Sequence, residues 1–137
     1  MMAHGLGGTK DSGLEPFASA LAEAGLDVLA FDDRGFGASG GTPRQRVDLA
    51  GQVDAYRAAM TAAARLPGVD PERLVLWGAS LARAAEAGRA EVRHYPCDHF
   101  DVWPGNDWFA PVVDHQLYFL RRHLWAARPR VGATDVQ

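Results

Sequence analysis

Cysteine is nearly absent: of 137 residues, Cys97 alone carries a thiol. One thiol cannot close an internal disulfide, so the fold must stand on its core, and such usage fits a reducing, cytoplasmic setting. Long apolar runs are missing too, and none reaches membrane-spanning length. The first residues lack the charged-then-apolar order of a secretory leader. An excess of one charge is missing, with 14 basic residues against 17 acidic. A net charge of −3 gives no reason to expect nucleic acid or an acidic membrane surface as a partner. No internal repeat is present. What remains, 47% apolar and 23% charged residues, is the composition of an ordinary globular protein long enough for one core without metal or cross-links.

Glycine, by contrast, is plentiful and clustered. His4-Gly5-Leu6-Gly7-Gly8 opens the chain, and its glycines let the backbone bend and approach an anionic group closely. Ser12-Gly13-Leu14-Glu15 has the spacing of a capping box. Leu14, Phe17, Ala18 and Leu21 then share one helical face, and Gly25 supplies a left-handed stop. The run 27–32 is short, apolar and bounded by charge, which predicts a buried strand. A helix feeding such a strand implies α/β alternation.

That strand runs into a second glycine-rich loop, Asp32-Asp33-Arg34-Gly35-Phe36-Gly37-Ala38-Ser39-Gly40. Open parallel sheets place their sites in such loops, at the carboxyl ends of strands. Gly35, Gly37 and Gly40 have the Gly-x-Gly-x-x-Gly spacing of a dinucleotide site, but the loop runs on to Pro43 without opening directly into a helix, and no cofactor is expected. A long helix follows over 48–65, with Leu49, Val53, Tyr56, Met60 and Ala63 as its buried stripe. Beyond the turn at 66–71 comes a third apolar run, Leu74-Val75-Leu76-Trp77, ending in Gly78-Ala79-Ser80-Leu81-Ala82. A strand that stops at Gly-x-Ser and gives way to an Ala-rich helix has the layout of a nucleophile elbow. There a serine hydroxyl is presented above the sheet beside free backbone N–H groups. Ala82 stands where the full pattern has glycine.

The His4-Gly5-Leu6-Gly7-Gly8 loop, the Asp32-x-Arg34-Gly35-x-Gly37-x-Ser39 loop and Gly78-Ala79-Ser80 occur in one order and spacing. Together they resemble the α/β-hydrolase superfamily, nearest to its X-Pro dipeptidyl-peptidase-like and thioesterase-like branches. The resemblance implies a three-layer αβα fold with a short, mostly parallel sheet, whose three loops follow the family's third, fourth and fifth strands. It covers the chain to about Leu81 and resumes near Arg89. There a strand over 91–95 would be the family's last and the following loop would bring the catalytic histidine, which falls on His99. A final helix from Pro111 to about Leu124 matches the family's last helix.

Only eighteen residues separate Ser80 from His99, where the family has two further strands, a lid and the triad acid. The chain therefore reads as a hydrolase domain over 1–125, lacking strands before the third and the sixth and seventh, with a tail over 126–137. The expected strand order is fourth-third-fifth-last, which requires a right-handed crossover of about ten residues after the elbow.

The resemblance makes Ser80 the nucleophile and His99 its base, with the Leu6 and Leu81 N–H groups as oxyanion donors. The substrate would be a small ester, thioester or amide. No position matches the triad acid; Asp32, Asp33, Glu86, Glu91, Asp98 and Asp101 all stay open. A second expectation is an inactive remnant that self-associates through apolar surface left by the missing strands. His94, Cys97, His99 and Asp101 crowd together but without a standard metal-ligand spacing. Trp103, Trp108 and Phe109 read as a clamp on the last helix, and His115 and His123 as solvated.

Overall fold

The computed structural model describes residues 1–78, 91 and 93–125. Strand β1 (Met2–Ala3) lies between β2 (Ala30–Phe31) and β3 (Trp77–Gly78), all parallel. The order β2-β1-β3 is the fourth-third-fifth arrangement read from the sequence. Met2 stands level with Ala30 and Trp77, and Ala3 with Phe31 and Gly78. The central strand is two residues long, which sets how far either neighbour can pair. Ahead of β2, Val28 packs against the core, the Leu29 carbonyl accepts the Met2 N–H at 2.8 Å, and Asp27 is exposed.

Side chains alternate across a sheet, and that register sorts the layers. Met2, Ala30 and Trp77 face helices α1 (Glu15–Glu23) and α3 (Phe109–Leu120), whose Leu14, Phe17, Leu21, Val112, Val113 and Leu120 complete the core. Phe17 is its hub, 5.2 Å from the Trp77 ring, 4.9 Å from Phe109 and 5.6 Å from Trp103. The aromatic residues ahead of α3 thus clamp that helix onto α1. Phe31 points to the other face and meets Tyr56 of α2 (Leu49–Ala63) edge-on at 5.1 Å. Helices on both faces of a parallel sheet make the α/β, three-layer architecture expected from the resemblance.

Local signals account for several boundaries. Asp48 caps α2 by accepting the Ala50 N–H at 3.1 Å. Gly25 ends α1 at φ +89°, where L side chains are disfavoured. The capping box at Ser12 does not form. Ser12 is held in a turn instead, donating its N–H to the Thr9 carbonyl and accepting the Thr9 N–H on its hydroxyl. Helix α1 starts after Leu14 without a side-chain cap; Pro16 in its first turn has no N–H to satisfy. Leu49, expected on the buried stripe of α2, is exposed.

The expected last strand needs correcting as well. Residues 91 and 93–95 carry no strand, because competing partners hold them against α3. The Tyr95 hydroxyl bonds His115 Nδ1 at 2.8 Å, with the two rings stacked, and Tyr95 packs on Trp108. Glu91 bridges Arg93 and Arg122. His115 is therefore exposed but engaged. The helix predicted over 82–88 and the tail over 126–137 lie outside the described residues. No helix among the described residues is long and apolar enough to cross a membrane.

Candidate active site

Parallel strands deliver their carboxyl ends to one edge. There His4 follows β1, Asp32 and Asp33 follow β2, and β3 ends at Gly78, two positions ahead of Ser80 in the chain. Both glycine-rich loops therefore converge at a single rim, and hydrogen bonds tie them together.

His4 is buried and links the loops through both ring nitrogens. Its Nδ1 donates to the Gly5 carbonyl at 2.7 Å, and its Nε2 accepts the Asp33 N–H at 3.3 Å. These partners define the tautomer, since a carbonyl can only accept and an amide N–H can only donate. A trans peptide carries its C=O and N–H on opposite sides. The bond that draws the Gly5 carbonyl to His4 therefore turns the Leu6 N–H away from it. No acceptor for that N–H occurs among the described residues. Gly7 at φ +69° and the Gly8 N–H on the Gly5 carbonyl close the turn. The loop thus leaves the Leu6 N–H without a protein acceptor among the described residues.

Asp32 makes the second tie. Its carboxylate accepts the Lys10 N–H at 2.7 Å and the Ala38 N–H at 2.9 Å, with the Lys10 ammonium 3.7 Å away. Burial alone would raise its pKa, but the two backbone donors and the nearby ammonium outweigh it and hold the carboxyl below its ordinary value. Asp33, its neighbour in sequence, behaves in the opposite way. Burial pushes its carboxyl above the ordinary range, against the pull of His4 and the Gln52 amide, and its Oδ1 has no partner among the described residues. The same cluster raises Tyr56 to about 12, through burial first and the Asp33 charge second.

The Tyr56 hydroxyl donates to the Trp77 carbonyl at 3.3 Å, and the Trp77 indole N–H donates to Gln116 at 2.8 Å. Both helical layers thus grip Trp77 in β3. Ser80 and Leu81 themselves lie outside the described residues. His99 sits in an exposed turn closed by the Asp98 N–H on Asp101 and the Asp101 N–H on Asp98, its ring edge-on to Phe100. Among the described residues no hydrogen bond or ring contact joins His99 to the Leu6 loop. His4 had been legible only as part of a glycine loop; its place between β1 and Gly5 was the signal of its role.

Comparison with known proteins agrees with this arrangement. The chain is 37% identical to the quorum-quenching protein AidA of Acinetobacter baumannii over 97% of its own length and 44% of that protein. It is 40% identical to the thiohydrolase aneE of Aspergillus aculeatus over 66% of the chain and 28% of that protein. It is 41% identical to the polyketide transferase claH of Penicillium crustosum over 53% of the chain and 23% of that protein. The chain thus spans less than half the length of each of these relatives. No solved structure matches it. The family described by the alpha/beta hydrolase fold matches residues 1–82, more than half of the chain, and to that family the chain belongs.

Proposed function

We propose that the chain carries the chemistry of a serine hydrolase acting on ester, thioester or amide bonds. Ser80 is the nucleophile and His99 its base. The base takes the hydroxyl proton as Ser80 Oγ attacks the substrate carbonyl, and the Leu6 and Leu81 N–H groups hold the oxyanion. Collapse of that intermediate passes the proton to the leaving alcohol, thiol or amine. Water then releases the acyl group by the same route. The observation that carries this reading is the Leu6 N–H, which has no acceptor among the described residues and is turned away from His4 in the loop that follows β1, the strand paired with β3. A thiohydrolase among the relatives supports thioesters as one substrate class, and the match over 97% of the chain to AidA extends past the elbow into the histidine-bearing segment. No residue is assigned as triad acid, and turnover without one is expected to fall by about 10⁴-fold. The single cysteine keeps the protein's proposed setting cytoplasmic.

A fluorophosphonate probe tests the reading, since it needs an activated serine but no particular substrate. Wild-type protein should be labelled covalently, Ser80→Ala not at all, and His99→Ala about 10²-fold more slowly. Folded wild-type protein that takes no label would overturn it.

One observation favours the alternative of a non-catalytic, self-associating scaffold. At the opposite edge of the sheet an apolar groove of ≈ 380 Å³ is lined by Leu26, Val28, Val75, Leu120 and the exposed Leu66 and Trp125. Sedimentation equilibrium decides it: a monomer at all concentrations rules this alternative out.

A further inference from the structure

Beside the oxyanion loop lies a cleft of ≈ 510 Å³, walled by Gly7 and Thr9 on one side and by Phe36, Arg44, Gln45 and Val47 on the other. The cleft is open to solvent, with Gly7, Arg44, Gln45 and Val47 all exposed along it. Phe36 forms a buried apolar wall and Val47 an exposed apolar lip. Arg44 is the polar feature. Its guanidinium donates to the Ser39 carbonyl and, at 2.6 Å, to the Gly37 carbonyl. Both acceptors are neutral, and no carboxylate among the described residues pairs with Arg44. A guanidinium has five N–H donors, so two bonds fix its orientation and leave others unused. The result is a positioned, unneutralised cation.

The backbone around it carries strain. Gln45, a non-glycine residue, sits at φ +56° while its N–H donates to the Gly35 carbonyl at 2.9 Å. Such conformations persist where the surroundings enforce them, and they cluster at ligand-binding segments. Here the enforced turn holds Arg44 and Val47 on the same cleft.

We propose that this cleft receives the acyl half of the substrate and that Arg44 recognises a carboxylate at its far end. The fork geometry of a guanidinium suits a planar carboxylate, and the apolar wall between Gly7 and Arg44 suits the methylene chain joining it to the scissile carbonyl. The substrate class is thus the monoester or monothioester of a short dicarboxylic acid. This assignment rests on the proposed oxyanion role of Leu6, but its test needs no turnover.

Binding is measured by NMR on full-length Ser80→Ala protein, following the Arg44 side-chain N–H resonance, with monoethyl adipate against diethyl adipate. The half-ester should bind at least tenfold more tightly than the diester and shift that resonance. Arg44→Met should remove the preference. Because that variant also loses two loop bonds, Val47→Asp provides the second arm. It sets a carboxylate in the cleft while sparing both carbonyl bonds, and it should weaken the half-ester at least tenfold more than the diester. Equal affinity for the two esters, half-ester binding that survives both substitutions, or tighter binding of inorganic phosphate than of the half-ester would each overturn the assignment. Fluorophosphonate labelling of wild-type protein reports separately on Ser80, so failure of the cleft and failure of the nucleophile are distinguishable.

Discussion

His4 Nδ1 lies 2.7 Å from the carbonyl oxygen of Gly5, and that bond sets the direction of the next amide in the chain. Under the proposed mechanism, a histidine in this place would position the Leu6 N–H without touching substrate. His4→Phe keeps an aromatic ring in the core and removes both ring hydrogen bonds. Fluorophosphonate labelling of Ser80 should slow by about 10²-fold, the usual cost of one misdirected oxyanion donor. His4→Asn, whose amide can still donate to the Gly5 carbonyl, should recover part of the rate. Thermal melts of both variants check that the fold survives; equal labelling of wild type and His4→Phe would refute a positioning role.

Gly37 is required by its neighbour. At φ +46°, a Cβ on residue 37 would fall 2.2 Å from Asp32 Oδ2. Gly37→Ala therefore meets both the left-handed backbone penalty and a clash with a carboxylate already held by two amides. It should destabilise by about 3 kcal/mol, read as a lower midpoint in urea. Gly68, also at positive φ but with open space around it, should tolerate Ala at a cost of about 1 kcal/mol.

The two adjacent aspartates give stability slopes of opposite sign. Asp33 is raised above the usual 3.8, so the folded state holds its proton longer than the unfolded chain does. Its contribution is greatest below pH 3.8 and declines as pH rises through the folded-state value. Asp33→Asn should therefore gain about 1 kcal/mol at pH 7 by removing the buried charge, with little gain at pH 3.5. Asp32 is lowered below 3.8, so its contribution is present above that value and is lost as pH falls through the folded value. Asp32→Asn should cost about 1 kcal/mol at pH 7 after solvent screening. Urea melts at both pH values check the signs.

Tyr56 should be the last phenol to ionise. Of three tyrosines, it is raised to about 12 by burial and the Asp33 charge. Its proton is held by the native state, so its contribution to stability falls as pH rises above the usual 10.0. An ultraviolet titration should show a late phenolate step that disappears in Tyr56→Phe. The same variant should lose about 1 kcal/mol with the bond to the Trp77 carbonyl.

Much of this protein was legible along the chain because the chemistry involved is local. Gly25 marks a helix end and Asp48 a helix start through atoms one or two residues away. The three strand-to-glycine loops announce a parallel sheet, and their resemblance to the α/β-hydrolase family implied the order β2-β1-β3. Where distant partners compete, local pattern was insufficient. Ser12 had the spacing of a cap but bonds Thr9, and Tyr95, the end of the expected last strand, is held by His115 and Trp108 in place of a strand neighbour. The opposite titration of Asp32 and Asp33 is of this second kind. Two identical side chains, adjacent in sequence, point to opposite sides of the chain: one meets the amides of Lys10 and Ala38, the other an interior with one oxygen unmatched. Folding alone assigns those surroundings, because a carboxylate takes its energy from whichever donors reach it in space.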